Sequence, residues 1–172
     1  EEQIAHLTKL KPDVCFVPGY DTDTGFIIKQ ARAMGVKTIF LSGDGLTRDL
    51  YKYAGTLATG TYCLKHWHQE DQAPRSRHFV QAYAEEFAEI PLATTALSYD
   101  AVILLADAVK RADSLELQDI RAALAKTQGF KGVSGEITFD EKRNPVNKSA
   151  VIMKFEKDSL VYVKTIAQKD TH

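Results

Sequence analysis

The chain has little cysteine, one tryptophan, two methionines and no long apolar run. With only Cys15 and Cys63 among 172 residues, a disulfide-stapled scaffold and a cysteine-rich metal domain are both excluded. No apolar stretch approaches the ~20 residues of a membrane-spanning helix. Charge of one sign is missing too. The 22 basic and 23 acidic residues leave a net charge of −1, so nothing draws the chain to nucleic acid or to an anionic membrane. There is no G-x-S-x-G, no P-loop and no G-x-G-x-x-G, and with them go the usual sequence marks of a serine hydrolase or a nucleotide enzyme. Ser76 and His78 are neighbours at an expected helix start without an acidic partner, so no catalytic triad is expected. No repeat or low-complexity tract interrupts the chain, and no amino-terminal leader is recognisable. Glu1-Glu2 is the start expected of a processed or trimmed product.

What is present is an alternating α/β pattern. A 44% hydrophobic content is enough for a buried core, in one domain or two small lobes. Residues 2–10 read as the end of an incoming helix, with Ile4, Leu7 and Leu10 on one face. Asp13–Val17 is a short strand ending at Pro18-Gly19-Tyr20. Thr22, Asp23 and Thr24 are candidate N-caps for a helix carrying Ile27, Ile28, Ala31 and Met34, closed by Gly35. Val36–Leu41 is a second strand, ending at Ser42-Gly43-Asp44-Gly45. A crossover of this length makes the two strands parallel neighbours. Both loops then emerge at the carboxyl edge of one sheet, where open α/β sheets bind ligands. Tyr20 and Asp44 are therefore the candidate site residues. Asp44 also suits a bare Gly-Asp-Gly turn, and Tyr20 could simply pack on the sheet edge. Asp21 and Asp23 read as charges that complement the helix dipole.

Further along, Thr47 is expected to cap a short helix with Leu50 and Tyr53, stopped by Gly55, and Thr59–Leu64 is a third strand. If the strands bearing Cys15 and Cys63 flank Val36–Leu41, the thiols stand roughly 10 Å apart, too far for a disulfide. Two buried free thiols are expected. Lys65–Gln72 is a polar linker. Within it His66 and His68 share a face in an extended segment and could begin a zinc site, but no further ligand stands at a recognised spacing, so no metal and no cofactor are expected. Trp67 either covers a cleft mouth or packs in a hinge. Pro74 suits the first turn of a helix with Phe79, Tyr83 and Phe87. A very apolar helix at about 96–112 is expected to turn Tyr99, Val102, Ile103, Ala106 and Val109 inward. Ser114 caps a third, with Leu117, Ile120 and Leu124, ended by Gly129. Residues 135–139 and 149–166 read as strands, the last two joined by a turn at Lys157-Asp158-Ser159.

The order of these elements, PGYDTDTG after the first strand, SGDG after the second, TALSYDAVILLADAV and GVSGEITFDEKRNP together resemble the leucine/isoleucine/valine-binding protein family. These are type I periplasmic solute-binding proteins of amino-acid ABC transporters. The resemblance spans nearly the whole chain but only about the C-terminal half of a family member. It implies an α/β fold of the type I periplasmic-binding-protein kind, with parallel, doubly wound sheets in a partial two-lobe architecture. Residues 1–64 would form the second half of one lobe, to which 149–172 return with the C-terminal strands, and 65–148 would form part of the other with the hinge-crossing segments. It implies a non-catalytic protein that traps a small amino acid or related amino-bearing solute between lobes and delivers it to a transporter permease, in a periplasmic or extracellular setting. By the same resemblance Asp44 takes the ligand's ammonium, Tyr20 lines the cleft, and Thr94, before the apolar helix, helps to line it. The alternative is a ligand-sensing domain of a receptor or regulator with the same fold. A purely structural α/β domain is the third possibility. The helices at about 74–89, 96–112 and 115–128 have too few strands near them in sequence to cover. The chain is therefore expected to be a fragment, or to complete its core by dimerising or swapping with a second copy.

Overall fold

The computed structural model describes residues 2–167, so the last five residues of the expected 149–172 segment lie outside the described residues. Helix α1 (Glu2–Leu10) leads into strand β1 (Val14–Phe16), helix α2 (Asp21–Ala33) and strand β2 (Ile39–Ser42). A short helix, α3 (Leu50–Ala54), and a 3-10 turn at Gly55–Ala58 precede strand β3 (Tyr62–Lys65). Three helices follow: α4 (Pro74–Phe87), α5 (Ala93–Arg111) and α6 (Leu117–Ala125). The chain then forms β4 (Phe130–Gly132), β5 (Gly135–Phe139), β6 (Pro145–Val146), β7 (Ala150–Glu156) and β8 (Ser159–Ile166). The described residues form two compact units, 2–65 with 151–165, and 66–150 with 166–167.

The first unit is built on a five-stranded sheet in the order β1-β2-β3-β7-β8. Strands β1, β2 and β3 are parallel, as their helical crossovers require. Strand β7 runs antiparallel to β3, because it returns from the other unit rather than through a crossover helix, so the sheet is mixed where a parallel one was expected. Alternation along the strands sends Phe40, Cys63, Val151, Met153 and Phe155 to one face. There they pack with Ile4, Ile28, Ala31, Leu50 and Ala54 of α1, α2 and α3. Those helices share that one face, so among the described residues the sheet is wound on one side, not two. Cys15 and Cys63 are free, on the strands that flank β2. Cys63 is buried, and burial pushes its thiol up to about 11; Cys15 is only half-buried, contrary to expectation.

Helix α2 begins one residue before the expected caps. Tyr20 is its N-cap and no side chain caps it; Thr22, Asp23 and Thr24 lie inside the first turn. Strand β2 also starts late. The Val36 and Thr38 carbonyls are taken at 2.6 Å and 3.0 Å by the Arg32 guanidinium rather than by a neighbouring strand. Asp49, not Thr47, is the N-cap of α3, although the Thr47 hydroxyl accepts the Asp49 amide. Likewise Glu116 is the N-cap of α6, and Ser114 bonds its amide from outside the helix.

The second unit carries α4, α5 and α6 with a small antiparallel sheet in the order β4-β5-β6; β4 and β6 were not foreseen. Trp67 is 3% exposed and belongs to the core with Phe79, Ala96 and Val133, its indole donating to the Ser76 hydroxyl at 2.8 Å. It therefore packs inside the core of this unit. Helix α5 buries Ala96, Asp100, Leu104 and Ala108. The expected inward residues are rotated off this stripe: Tyr99, Val102 and Ala106 are exposed, and Ile103 and Val109 half-buried. The cause is Asp100. Its carboxylate accepts the Val133 and Ser134 amides at 2.6 Å and 2.8 Å and the Ser134 hydroxyl at 2.6 Å. A Cβ on Gly132 would stand 2.6 Å from that carboxylate, so glycine is what lets the turn close on it.

Candidate functional site

The loops after β1 and β2 leave the same edge of the sheet, because the two strands are parallel neighbours. They are stitched together at the base. The Val17 amide donates to the Leu41 carbonyl at 2.8 Å, and the Ser42 hydroxyl donates to the Val17 carbonyl at 2.7 Å. Above that base they touch. A Cβ on Gly45 would stand 2.6 Å from the Gly19 carbonyl oxygen and 3.1 Å from Cδ1 of Tyr20. Only a residue without a side chain fits there, and the Tyr20 ring rests on it.

Tyr20 is 74% exposed, held at the start of α2 by extended backbone and by the Thr24 amide, which donates to its carbonyl at 3.0 Å. Asp44 is exposed in the turn between Gly43 and Gly45, and its carbonyl accepts the Lys65 ammonium at 2.5 Å. The structure thus brings Tyr20 and Asp44 to one sheet edge, with a ring and a carboxylate on adjoining loops. Thr94 belongs to the other unit, exposed in the first turn of α5, where the neighbouring Thr95 hydroxyl accepts the Leu92 amide at 3.3 Å.

Two side chains that hold this edge were not singled out as such in the sequence. The Asp21 carboxylate accepts both the Thr47 amide at 2.8 Å and the Thr47 hydroxyl at 2.7 Å. Lys65, the last residue of β3, reaches the loop from the next strand. Asp21 carries a sequence signal, an acid at a helix start, but that signal points to the dipole and not to a partner 26 residues away. His66 is exposed and His68 half-buried; among the described residues no group of three or more histidine, cysteine, aspartate or glutamate side chains could hold a metal ion. Ser76 is buried against Trp67 while His78 is exposed, so the two make no nucleophile–base pair.

An edge with touching glycine loops, an aromatic ring and an acid suits a small solute that carries an amine. The sequence model of the family described as periplasmic binding protein matches residues 1–159. The chain belongs to that family. Among curated relatives, it is 33% identical over 156 residues to a Leu/Ile/Val-binding protein homolog 1 of Brucella suis, covering 90% of this chain and 41% of that protein. A leucine-specific-binding protein of Salmonella typhimurium is 31% identical over 140 residues, covering 81% of this chain and 37% of its own length. Among solved structures, a leucine-binding protein of Thermotoga maritima superposes with a TM-score of 0.89 at 31% identity, over 96% of this chain and 47% of that one. A branched-chain amino acid transporter substrate-binding protein of Streptococcus pneumoniae, solved with isoleucine, gives a TM-score of 0.81 at 32% identity, over 95% and 48%. This member of the periplasmic binding protein family therefore spans less than half the length of each of these four relatives. Their shared architecture is the type I periplasmic-binding-protein fold.

Proposed function

We propose that the chain contributes to a solute-binding protein that captures a branched-chain amino acid for uptake by an ABC transporter. The observation that carries this is the junction of the two loops, where the Tyr20 ring lies on Gly45 beside Asp44. The names of the relatives supply the ligand class, since two are leucine-binding and one was solved with isoleucine. Their description as binding or transport components favours uptake over the sensing alternative.

The chemistry is non-covalent. The ligand's α-ammonium pairs with the Asp44 carboxylate, a charge-assisted hydrogen bond that gains strength as water leaves. Tyr20 offers its ring face or hydroxyl. Gly43, with open space where a Cβ would stand, lets ligand atoms approach the backbone beside Asp44. Thr94 is assigned a secondary polar contact from the other lobe, and closure of the two lobes over the solute excludes water. The role implies a transporter permease as partner and a periplasmic or extracellular setting for the solute-binding protein. No bond is made or broken.

Calorimetry of the complete protein with leucine, isoleucine and valine tests the assignment. Asp44→Ala is expected to weaken binding by about 2–5 kcal/mol, as when one partner of a buried charge pair is removed, and Asp44→Asn by less. Unchanged affinity in Asp44→Ala would remove Asp44 from the site.

A further inference from the structure

The loop that carries Asp44 is held from three sides, and one of the holds comes from a carboxylate that the amine-binding role does not use. Ser42 fixes the start of the loop through the Val17 carbonyl. Lys65 takes the Asp44 carbonyl from the neighbouring strand. Asp21 closes the far end, with both of its oxygens on Thr47. This last hold differs from the others. It joins the first residue of α2, next to Tyr20, to the end of the loop that bears Asp44, so it ties together the two elements that carry the candidate ligand groups. A carboxylate that merely complemented the helix dipole would have no need of two directed bonds 26 residues away.

We infer that Asp21 is a positioning residue, which presets the Gly43–Thr47 loop so that Asp44 meets the ligand's ammonium without reorganisation. This rests on the reading of Asp44 as the ammonium partner. Loops ordered only on ligand arrival lose affinity to that ordering, whereas a loop fixed beforehand keeps it. Three consequences follow from the bonding. Losing Asp21 frees the loop while the strands beneath it stay paired. The cost to binding falls on ligands that carry an amine. Asparagine, which can accept the Thr47 amide and donate to the Thr47 hydroxyl, restores most of the effect.

The test has two arms on the full chain. In the absence of ligand, amide hydrogen exchange in Asp21→Ala is expected to rise about tenfold or more at Leu46 and Thr47, with the amides of β1 and β2 as protected as in the parent, and to return in Asp21→Asn towards the parent rate, in line with the strength of hydrogen bonds to a charged group. In calorimetry Asp21→Ala is expected to lose about tenfold in leucine affinity, a factor equal to 1.4 kcal/mol, while 4-methylpentanoate, which is leucine without its amine, binds the variant as it binds the parent. Unchanged exchange at Thr47, or equal losses for leucine and 4-methylpentanoate, would overturn the positioning role. An Asp44→Ala protein that holds leucine as tightly as the parent would instead overturn the ammonium reading, and the exchange arm judges Asp21 whatever that result.

Discussion

At the scale of single residues, the second unit is organised around one buried acid. Asp100 is 2% exposed, sits mid-helix, and gives its carboxylate to three donors of the Val133–Ser134 turn. Lys148 completes the arrangement by donating to the Ser134 carbonyl at 2.7 Å, and its partial burial lowers its pKa while Asp100 opposes that shift. Removing the acid would strand two buried amides and a hydroxyl, each a loss of order 1–3 kcal/mol. Asp100→Ala is therefore expected to destabilise this unit by about 3–5 kcal/mol, the low end of three such losses, since Lys148 still reaches the Ser134 hydroxyl. Gly132→Ala should be costly in the parent, where its methyl would collide with the carboxylate, and much cheaper when Asp100 is already alanine. Trp67, the only tryptophan, lies in the same core as Val133, so its fluorescence in urea titrations reads both effects. Additive losses in the double variant would show that glycine is there for some other reason.

At the scale of elements, the helices and main strands were legible because their signals are local. Pro74 does open α4, Gly35 does follow α2 with a φ of +77°, and the turn at Lys157-Asp158 does join β7 to β8. The two short strands β4 and β6 were not legible, since Phe130-Lys131-Gly132 and Pro145-Val146 form no apolar run, unlike the equally short β1 within Asp13–Val17. The meeting of Tyr20 and Asp44 at one edge followed from parallel crossover topology alone. What escaped was any decision taken by a distant partner. Asp21 reads as a dipole residue but is partnered by Thr47, and α5 reads as turning Tyr99, Val102, Ile103, Ala106 and Val109 inward but is rotated by the bonds of Asp100. That rotation has a direct test. Leu104 is 6% exposed and Val102 is 68% exposed, two residues apart on the same helix. Leu104→Ala should cost about 2–4 kcal/mol in urea unfolding read by Trp67, and Val102→Ala no more than about 0.5 kcal/mol. The reverse order of costs would restore the inward face first expected.

At the scale of the whole molecule, the sheet of the first unit has, among the described residues, one face covered and one face open. Residues that alternate with the core positions, Val14, Phe16, Ile39 and Leu64, are exposed along β1, β2 and β3, with Phe16 at 58%. Parallel strands are normally covered on both faces, because each face is apolar and each crossover helix can shield it. In the second unit Leu92, Tyr99, Val102, Leu105 and Leu117 are exposed as well. Apolar surface left in water forgoes roughly 25 cal/mol for each Å² that could have been buried, which favours any association that covers it. The relatives matched are more than twice as long as the stretch shared with this chain, so their folds hold further material beside the shared part. The 172-residue chain purified alone is thus expected to bind an apolar dye such as ANS and to scatter light with an apparent mass above 19.2 kDa, increasingly so at higher concentration. Phe16→Lys and Ile39→Lys, which place charges on the open face without touching the covered one, should lower both signals. A chain that stays monomeric at every concentration and binds no dye would mean that these faces are tolerated in water, and the expectation of a second copy would go with it.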